Sequence, residues 1–153
     1  MSIELTSTAF QPDATIPKKY TGDGADQSPP LRWSGIPAEA KSIALICDDP
    51  DAPGGTWVHW VLFDLPPQTG ELVEGVPTTA TLGNSAKQGK NDFGNLGYGG
   101  PAPPKGKPHR YFFKLYALAV AVDLLPGATK AQLEEAMKGH ILGERQLMGT
   151  YGR

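Results

Sequence analysis

Glycine and proline interrupt this chain so often that its apolar runs must be joined by many turns. Nineteen glycines and fifteen prolines together make 34 of the 153 residues, about twice ordinary usage. No internal repeat accompanies the excess, and long apolar runs lie between the breakers. Disordered segments rich in these residues lack such runs, so the pattern points to strands connected by turns. The length suits a single domain, residues 1–153, able to bury a core.

The apolar runs read as strands. Ile3-Glu4-Leu5-Thr6-Ser7 alternates apolar and polar residues, as a strand with one wet face does. Residues 11–30 read as irregular connection. Residues 42–48 form a continuous apolar run with β-branched members, a central strand ended by Asp49-Pro50. Residues 57–65 are apolar on both parities, with Trp57, His59, Val61, Phe63 and Leu65 on one face and Val58, Trp60 and Leu62 on the other. Such a strand must be covered on both sides. Residues 111–122 repeat that character, and residues 145–151 suit a short final strand. Residues 83–108 show no periodicity, and unstructured stretches of that length in compact domains are usually functional.

Helical signals are few. Thr129-Lys130-Ala131-Gln132 is a capping-box pattern. Leu133, Ala136 and Met137 follow as a narrow apolar stripe, and Gly139 is a natural stop. A weaker turn surrounds Pro37-Ala38-Glu39-Ala40. The fold class is therefore mostly β, with one or two short helices.

Several function classes are disfavoured. A net charge of −2 supplies no basic field for nucleic acid. The sole cysteine, Cys47, rules out an internal disulfide and lies in an apolar run, where a buried inert thiol is expected. No basic segment followed by an apolar stretch opens the chain, and its most apolar run is short and carries Lys114. Neither a signal peptide nor a membrane span is expected, which makes the cytoplasm the default location.

Three segments carry candidate chemistry: Asp49-Pro50-Asp51-Ala52-Pro53, Trp57-Val58-His59-Trp60 and His109-Arg110-Tyr111. Each lies within or at the end of a strand, so all three could meet at one mouth of a small sheet. The two prolines stiffen the first segment and fix carboxylate direction, although Asp before Pro also simply ends strands. Ala52–Pro53 is a candidate cis bond. His59 fits a satisfied core histidine as well as a ligand, but Trp57 and Trp60 offer the apolar walls that small-molecule sites use. His109 and Tyr111 differ by two and project together from a strand. A protonated imidazole and a phenol O–H both donate to anion oxygens. Arg110, on the opposite parity, points away.

Glycines and prolines from Gly97 to Gly106 could bring backbone amides near a ligand. The stretch is not a nucleotide-hydrolase phosphate loop, because Pro108 follows Gly106-Lys107 where Ser or Thr is needed. No HExxH pair suggests a zinc site, and no G-x-S-x-G suggests a nucleophile elbow. Asp and His without an activated nucleophile or metal cage favour binding over turnover.

These segments, with Ser28-Pro29-Pro30-Leu31, Gly97-Tyr98-Gly99-Gly100-Pro101 and Pro103-Pro104-Lys105-Gly106, resemble the phosphatidylethanolamine-binding protein family, which includes the Raf kinase inhibitor proteins. The resemblance runs over nearly the whole chain. Its end, Gly149-Thr150-Tyr151-Gly152-Arg153, looks like the bacterial and archaeal Raf-kinase-inhibitor-like branch. The resemblance implies a large antiparallel sheet packed on a smaller one and an anion pocket at one end. Asp49, His59, His109 and Tyr111 would line it, Trp57 would form a wall, and Ala102, Pro103 and Pro104 a rim. It implies a non-enzymatic protein that binds phosphate-type anions or phosphorylated head groups and needs no cofactor or metal. An alternative is an inhibitor module acting on a kinase or protease through the pocket rim and the 83–108 loop. The bacterial branch further suggests a homodimer. Only Gly54-Gly55-Thr56 separates Pro53 from Trp57, shorter than the eukaryotic pattern, and the eukaryotic C-terminal helical extension has no counterpart here.

Overall fold

The computed structural model describes residues 2–153 and contains two antiparallel sheets. The smaller orders β1 (Glu4–Thr6), β2 (Leu31–Ser34) and β5 (Glu71–Leu72). The larger has β6 (Lys87–Gln88) at one edge, followed by β4 (Trp57–Leu65), β3 (Ser42–Asp49), β7 (His109–Leu118) and β8 (Ile141–Tyr151). Every residue of the central β3 is buried. The sequence reason is its unbroken apolar run, which only a strand covered on both faces can hide.

Each face of the larger sheet has its own cover. Leu45, Cys47, Trp60, Leu62 and Phe113 pack in one core with Leu5, Leu31, Trp33 and Leu72 of the smaller sheet. On the opposite face, Ala44, Ile46, Val61 and Phe63 meet Leu133 and Met137 of α1 (Lys130–Met137). Burying those two helix side chains contributes about 1.5–3 kcal/mol each. The capping box forms as expected: Thr129 Oγ1 accepts the Gln132 amide at 3.1 Å, and Gln132 Oε1 accepts the Thr129 amide at 2.9 Å.

Strand β4 corrects the sequence-based faces. Between Cys47↔Trp60 and Asp48↔Val58 the register slips, so β4 carries one extra residue, His59. A second slip lies between Ile43↔Leu65 and Leu45↔Leu62, where Asp64 adopts a positive φ of 58°. Each bulge inverts the alternation. Val58 therefore joins Val61 and Phe63 on the helix side, while Leu65 joins Trp60 and Leu62 on the other. His59 does not share a face with Val61; it turns toward Tyr111, on the side of Trp60.

Other boundaries also differ. Strand β7 stops at Leu118, because the Ala119 amide turns to the His140 carbonyl and the Asp64 carboxylate captures the Val122 and Asp123 amides. Strand β8 begins four residues before the expected start. The 11–30 connection contains a 3-10 turn at Lys18–Tyr20, whereas Pro37 to Ala40 is a single turn closed by the Ala40 amide on the Pro37 carbonyl. No peptide bond among the described residues is cis, so Ala52–Pro53 is trans.

The 83–108 stretch is pinned despite its lack of periodicity. Buried Gln88 accepts from Trp60 Nε1 at 2.8 Å and donates to the Pro77 and Thr79 carbonyls. Asn91 holds its own turn, donating to the Gly97 carbonyl and accepting the Phe93 and Asn95 amides. Cys47 is buried and free, its thiol pKa pushed up by desolvation. Among the described residues, no helix is long and apolar enough to cross a membrane.

Candidate functional site

Strand β3 ends on Asp49, which is buried. The proline that follows turns the chain, and Asp49 Oδ1 accepts the Asp51 amide at 2.7 Å. Its other oxygen, Oδ2, accepts from His109 Nδ1 at 2.7 Å, at the first residue of β7. A carboxylate can only accept here, so the proton sits on Nδ1 of His109. Asp51 carries the turn outward, where its carboxylate takes both Nε and Nη2 of Arg110 at 2.9 Å and the Arg110 amide at 2.9 Å. Arg110 thus points away, as its parity predicts, and braces the turn.

The β4 bulge delivers the second imidazole. His59 Nδ1 donates to the Gly99 carbonyl at 2.6 Å, and the Gly99 amide returns a bond to the His59 carbonyl at 2.9 Å. His59 as a whole is 3% exposed. Desolvation holds its pKa below the usual imidazole value, opposed by the Gly99 carbonyl and the charges of Asp49, Asp26 and Asp48. Tyr111 stands edge-on to the His59 ring with centroids 5.2 Å apart. The Tyr111 hydroxyl is buried without a hydrogen-bond partner among the described residues, and burial pushes its pKa well up.

These groups line one cavity of about 250 Å³. All eight residues singled out from the sequence border it: Asp49, Trp57, His59, Ala102, Pro103, Pro104, His109 and Tyr111. The structure adds Ala52, Pro53 and Phe93. Phe93 is 42% and Trp57 37% exposed, and they meet edge to face at 5.5 Å. Phe93 also packs on His59 at 5.5 Å. Its sequence trace is faint, one aromatic inside a glycine- and asparagine-rich loop. Ala52 and Pro53 belong to a segment already conspicuous for its prolines.

The cavity therefore combines apolar walls with two imidazoles held through Nδ1. Neither Nε2 has a partner among the described residues, and a phenol hydroxyl without a partner completes the polar set. Among the described residues, no three His, Cys, Asp or Glu side chains converge as metal ligands would.

Comparison with known proteins agrees with this architecture. The family model described as "Phosphatidylethanolamine-binding protein" matches residues 6–152. A UPF0098 protein of Methanothermobacter thermautotrophicus is 54% identical over 99% of both chains. Another, from Aquifex aeolicus, is 48% identical over 99% of this chain and 89% of its own. The crystal structure of a Chlamydia trachomatis protein described as a homolog of this family superposes with a TM-score of 0.90 at 44% identity, covering 99% and 98% of the two chains. Escherichia coli YbcL, described as a member of the mammalian family, gives 0.92 at 31% identity over 100% and 99%. The chain belongs to the phosphatidylethanolamine-binding protein family.

Proposed function

We propose that the cavity bounded by Asp49, His59, His109 and Tyr111 binds a small phosphate-type anion or phosphorylated molecule, and that it does so without catalysis. The observation that carries this reading is the Tyr111 hydroxyl, buried and unpartnered. An unsatisfied buried hydroxyl costs about 1–3 kcal/mol, and native structures rarely tolerate one without a ligand or water to complete it. Two imidazoles whose Nε2 atoms lack partners share its cavity. The proline-rich rim of Pro53, Pro103 and Pro104 keeps the mouth rigid, so little ordering accompanies binding.

Binding is favoured over turnover by the lining itself. It contains no serine, threonine, cysteine or lysine, and both oxygens of Asp49 are engaged within the chain. Titration with inorganic phosphate and with phosphoethanolamine tests the reading, followed by the imidazole resonances of His59 and His109. Millimolar ligand should perturb both; undisturbed resonances would remove the pocket hypothesis.

The exposed Trp57 and Phe93 beside the mouth favour a second reading, capture of a kinase or protease by the rim and the 83–108 loop. Aromatic anchors of this kind concentrate binding energy at protein interfaces. A stable partner retained by a His59→Ala, His109→Ala double variant and lost on Trp57→Ala would favour this surface role.

A further inference from the structure

We infer that a second cavity, bordered by Asp26, Asn91, Phe93 and Asn95, binds a small organic cation, an aliphatic ammonium ion. This cavity, of about 500 Å³, adjoins the one described above through Phe93 and Ala102 but shares none of its polar side chains. The inference does not depend on anion binding there.

Asp26 is held in place by its backbone and by one bond. Its φ of 58° is a left-handed conformation that few residues other than glycine, asparagine and aspartate adopt. Its Oδ1 accepts the Gly100 amide at 2.7 Å, which fixes the plane of the carboxylate. Oδ2 has no hydrogen-bond partner and no cation beside it among the described residues. No lysine, arginine or histidine lines the cavity to neutralise this charge.

The hydrogen-bond inventory then decides what the cavity can accept. Its N–H and O–H donors are largely spent within the chain. The Gly22 amide donates to the Pro101 carbonyl at 2.8 Å and the Gly99 amide to the His59 carbonyl at 2.9 Å. Asn91 Nδ2 donates to the Gly97 carbonyl, and the Asn95 amide to Asn91 Oδ1. The Tyr98 hydroxyl donates to the Tyr20 carbonyl at 2.6 Å. What remains is an open carboxylate oxygen, with Thr78 and Asn95 able to turn side-chain oxygens toward a donor.

An anion would meet that carboxylate uncompensated. A hard metal ion needs six to eight oxygens, and no three ligating carboxylate, imidazole or thiol side chains converge among the described residues. An ammonium ion supplies donors and positive charge together. Phe93 is 42% exposed, and an aromatic ring attracts such a cation. Leu96 and Ala102 add apolar wall for an alkyl stem.

One consequence reaches His59. Desolvation lowers its pKa, while the Gly99 carbonyl, Asp49, Asp26 and Asp48 raise it. A cation on Asp26 cancels part of that support, so the His59 titration midpoint should fall further.

Butylammonium, butanol and butyrate, which share one alkyl stem and differ in charge, test the assignment on the wild-type chain. Resonances of Asp26, Phe93 and Gly100 report binding, and the His59 imidazole gives the second readout. Butylammonium should bind saturably and ~10-fold or more tightly than butanol, the scale of one charge-assisted hydrogen bond, with butyrate weakest. Asp26→Asn keeps an acceptor for the Gly100 amide and tolerates the same φ, yet should abolish the preference for the cation. Phe93→Leu should weaken butylammonium by ~2–30-fold, the scale of a cation–π contact. Equal binding of butanol and butylammonium, or binding of neither, overturns the inference. So does a His59 midpoint unmoved by saturating butylammonium, which would place the ion elsewhere. Should Asp26→Asn not fold, the wild-type series and the His59 midpoint still decide.

Discussion

His109 and Asp49 are sixty residues apart in sequence, yet their side chains meet at 2.7 Å, with only 10% and 4% of each exposed. The contact joins the last residue of β3 to the first of β7, so one buried bond fixes both the strand ends and an imidazole. Removing one member of such a pair is worse than removing both. His109→Ala leaves a buried carboxylate with one remaining donor and should cost about 3–5 kcal/mol. Adding Asp49→Asn to that variant should restore part of the loss, because a neutral amide is less costly to bury. Urea midpoints of the wild type, two single variants and the double variant measure the coupling. A double variant less stable than His109→Ala would contradict the assignment.

The outward half of the same turn should behave differently. Asp51 is pulled down to about 2, chiefly by the Arg110 guanidinium and then by the Arg110 amide, against some desolvation. The pair is solvent-exposed, and exposed pairs add little stability. Arg110→Ala should leave the fold intact while Asp51 moves back toward the ordinary 3.8. Because the folded carboxyl is depressed, what stabilisation the pair gives is present above pH 3.8 and lost as pH falls toward 2. Carboxyl carbon resonances followed through acid titration give the comparison directly. An unchanged Asp51 titration would mean the bidentate bond does not persist in solution.

Stability should also depend on His59. Its folded pKa lies below the 6.5 of an unperturbed imidazole because burial disfavours the charged ring. The unfolded chain therefore binds the proton more readily, so stability is full above pH 6.5 and declines as pH falls through 6.5 toward the folded value. His59→Gln removes that titration. The wild-type urea midpoint should fall between pH 7 and pH 5, and the variant curve should be flatter over that window. Parallel curves would show that His59 is not held neutral.

How legible was this site in the sequence? The long elements were written plainly. Strands β3 and β4 are continuous apolar runs, and α1 announces itself through Thr129 and Gln132. The short strands were not. Strand β2, Leu31-Arg32-Trp33-Ser34, does alternate, but four residues between Pro30 and Gly35 look like loop, and β5 and β6 have two residues each. Bulges are harder still. They leave no period, yet the two in β4 decide that His59 turns toward Tyr111 while Val58 turns toward the helix. The site residues were conspicuous because the chain has only three histidines and three tryptophans, and prolines cluster in the segments beside them. Phe93 did not, since its place beside His59 depends on Asn91 folding a loop that has no periodic pattern.

Gly99 and Gly100 are neighbours with opposite expected responses to a methyl group. Neither has a positive φ, so alanine fits the backbone at both positions. At Gly99 an added Cβ would lie 2.6 and 2.8 Å from the edge of the Phe93 ring. That ring is 42% exposed and can swing toward solvent. At Gly100 the Cβ would meet Asp26 Oδ1 and the Tyr20 carbonyl at 2.6 Å and Thr21 Cα at 2.9 Å. Two of those are backbone atoms. The third, Asp26 Oδ1, accepts the Gly100 amide at 2.7 Å. Gly99→Ala should therefore change stability by under about 1 kcal/mol, while separating Phe93 from Trp57 and altering Trp57 fluorescence. Gly100→Ala should cost about 1–3 kcal/mol through overpacking and leave the Trp57 signal near wild type. Urea midpoints and emission spectra read the two effects independently. The reverse pattern, a stable Gly100→Ala with a destabilised Gly99→Ala, would show that Phe93 is the rigid wall and the 20–26 turn the yielding one.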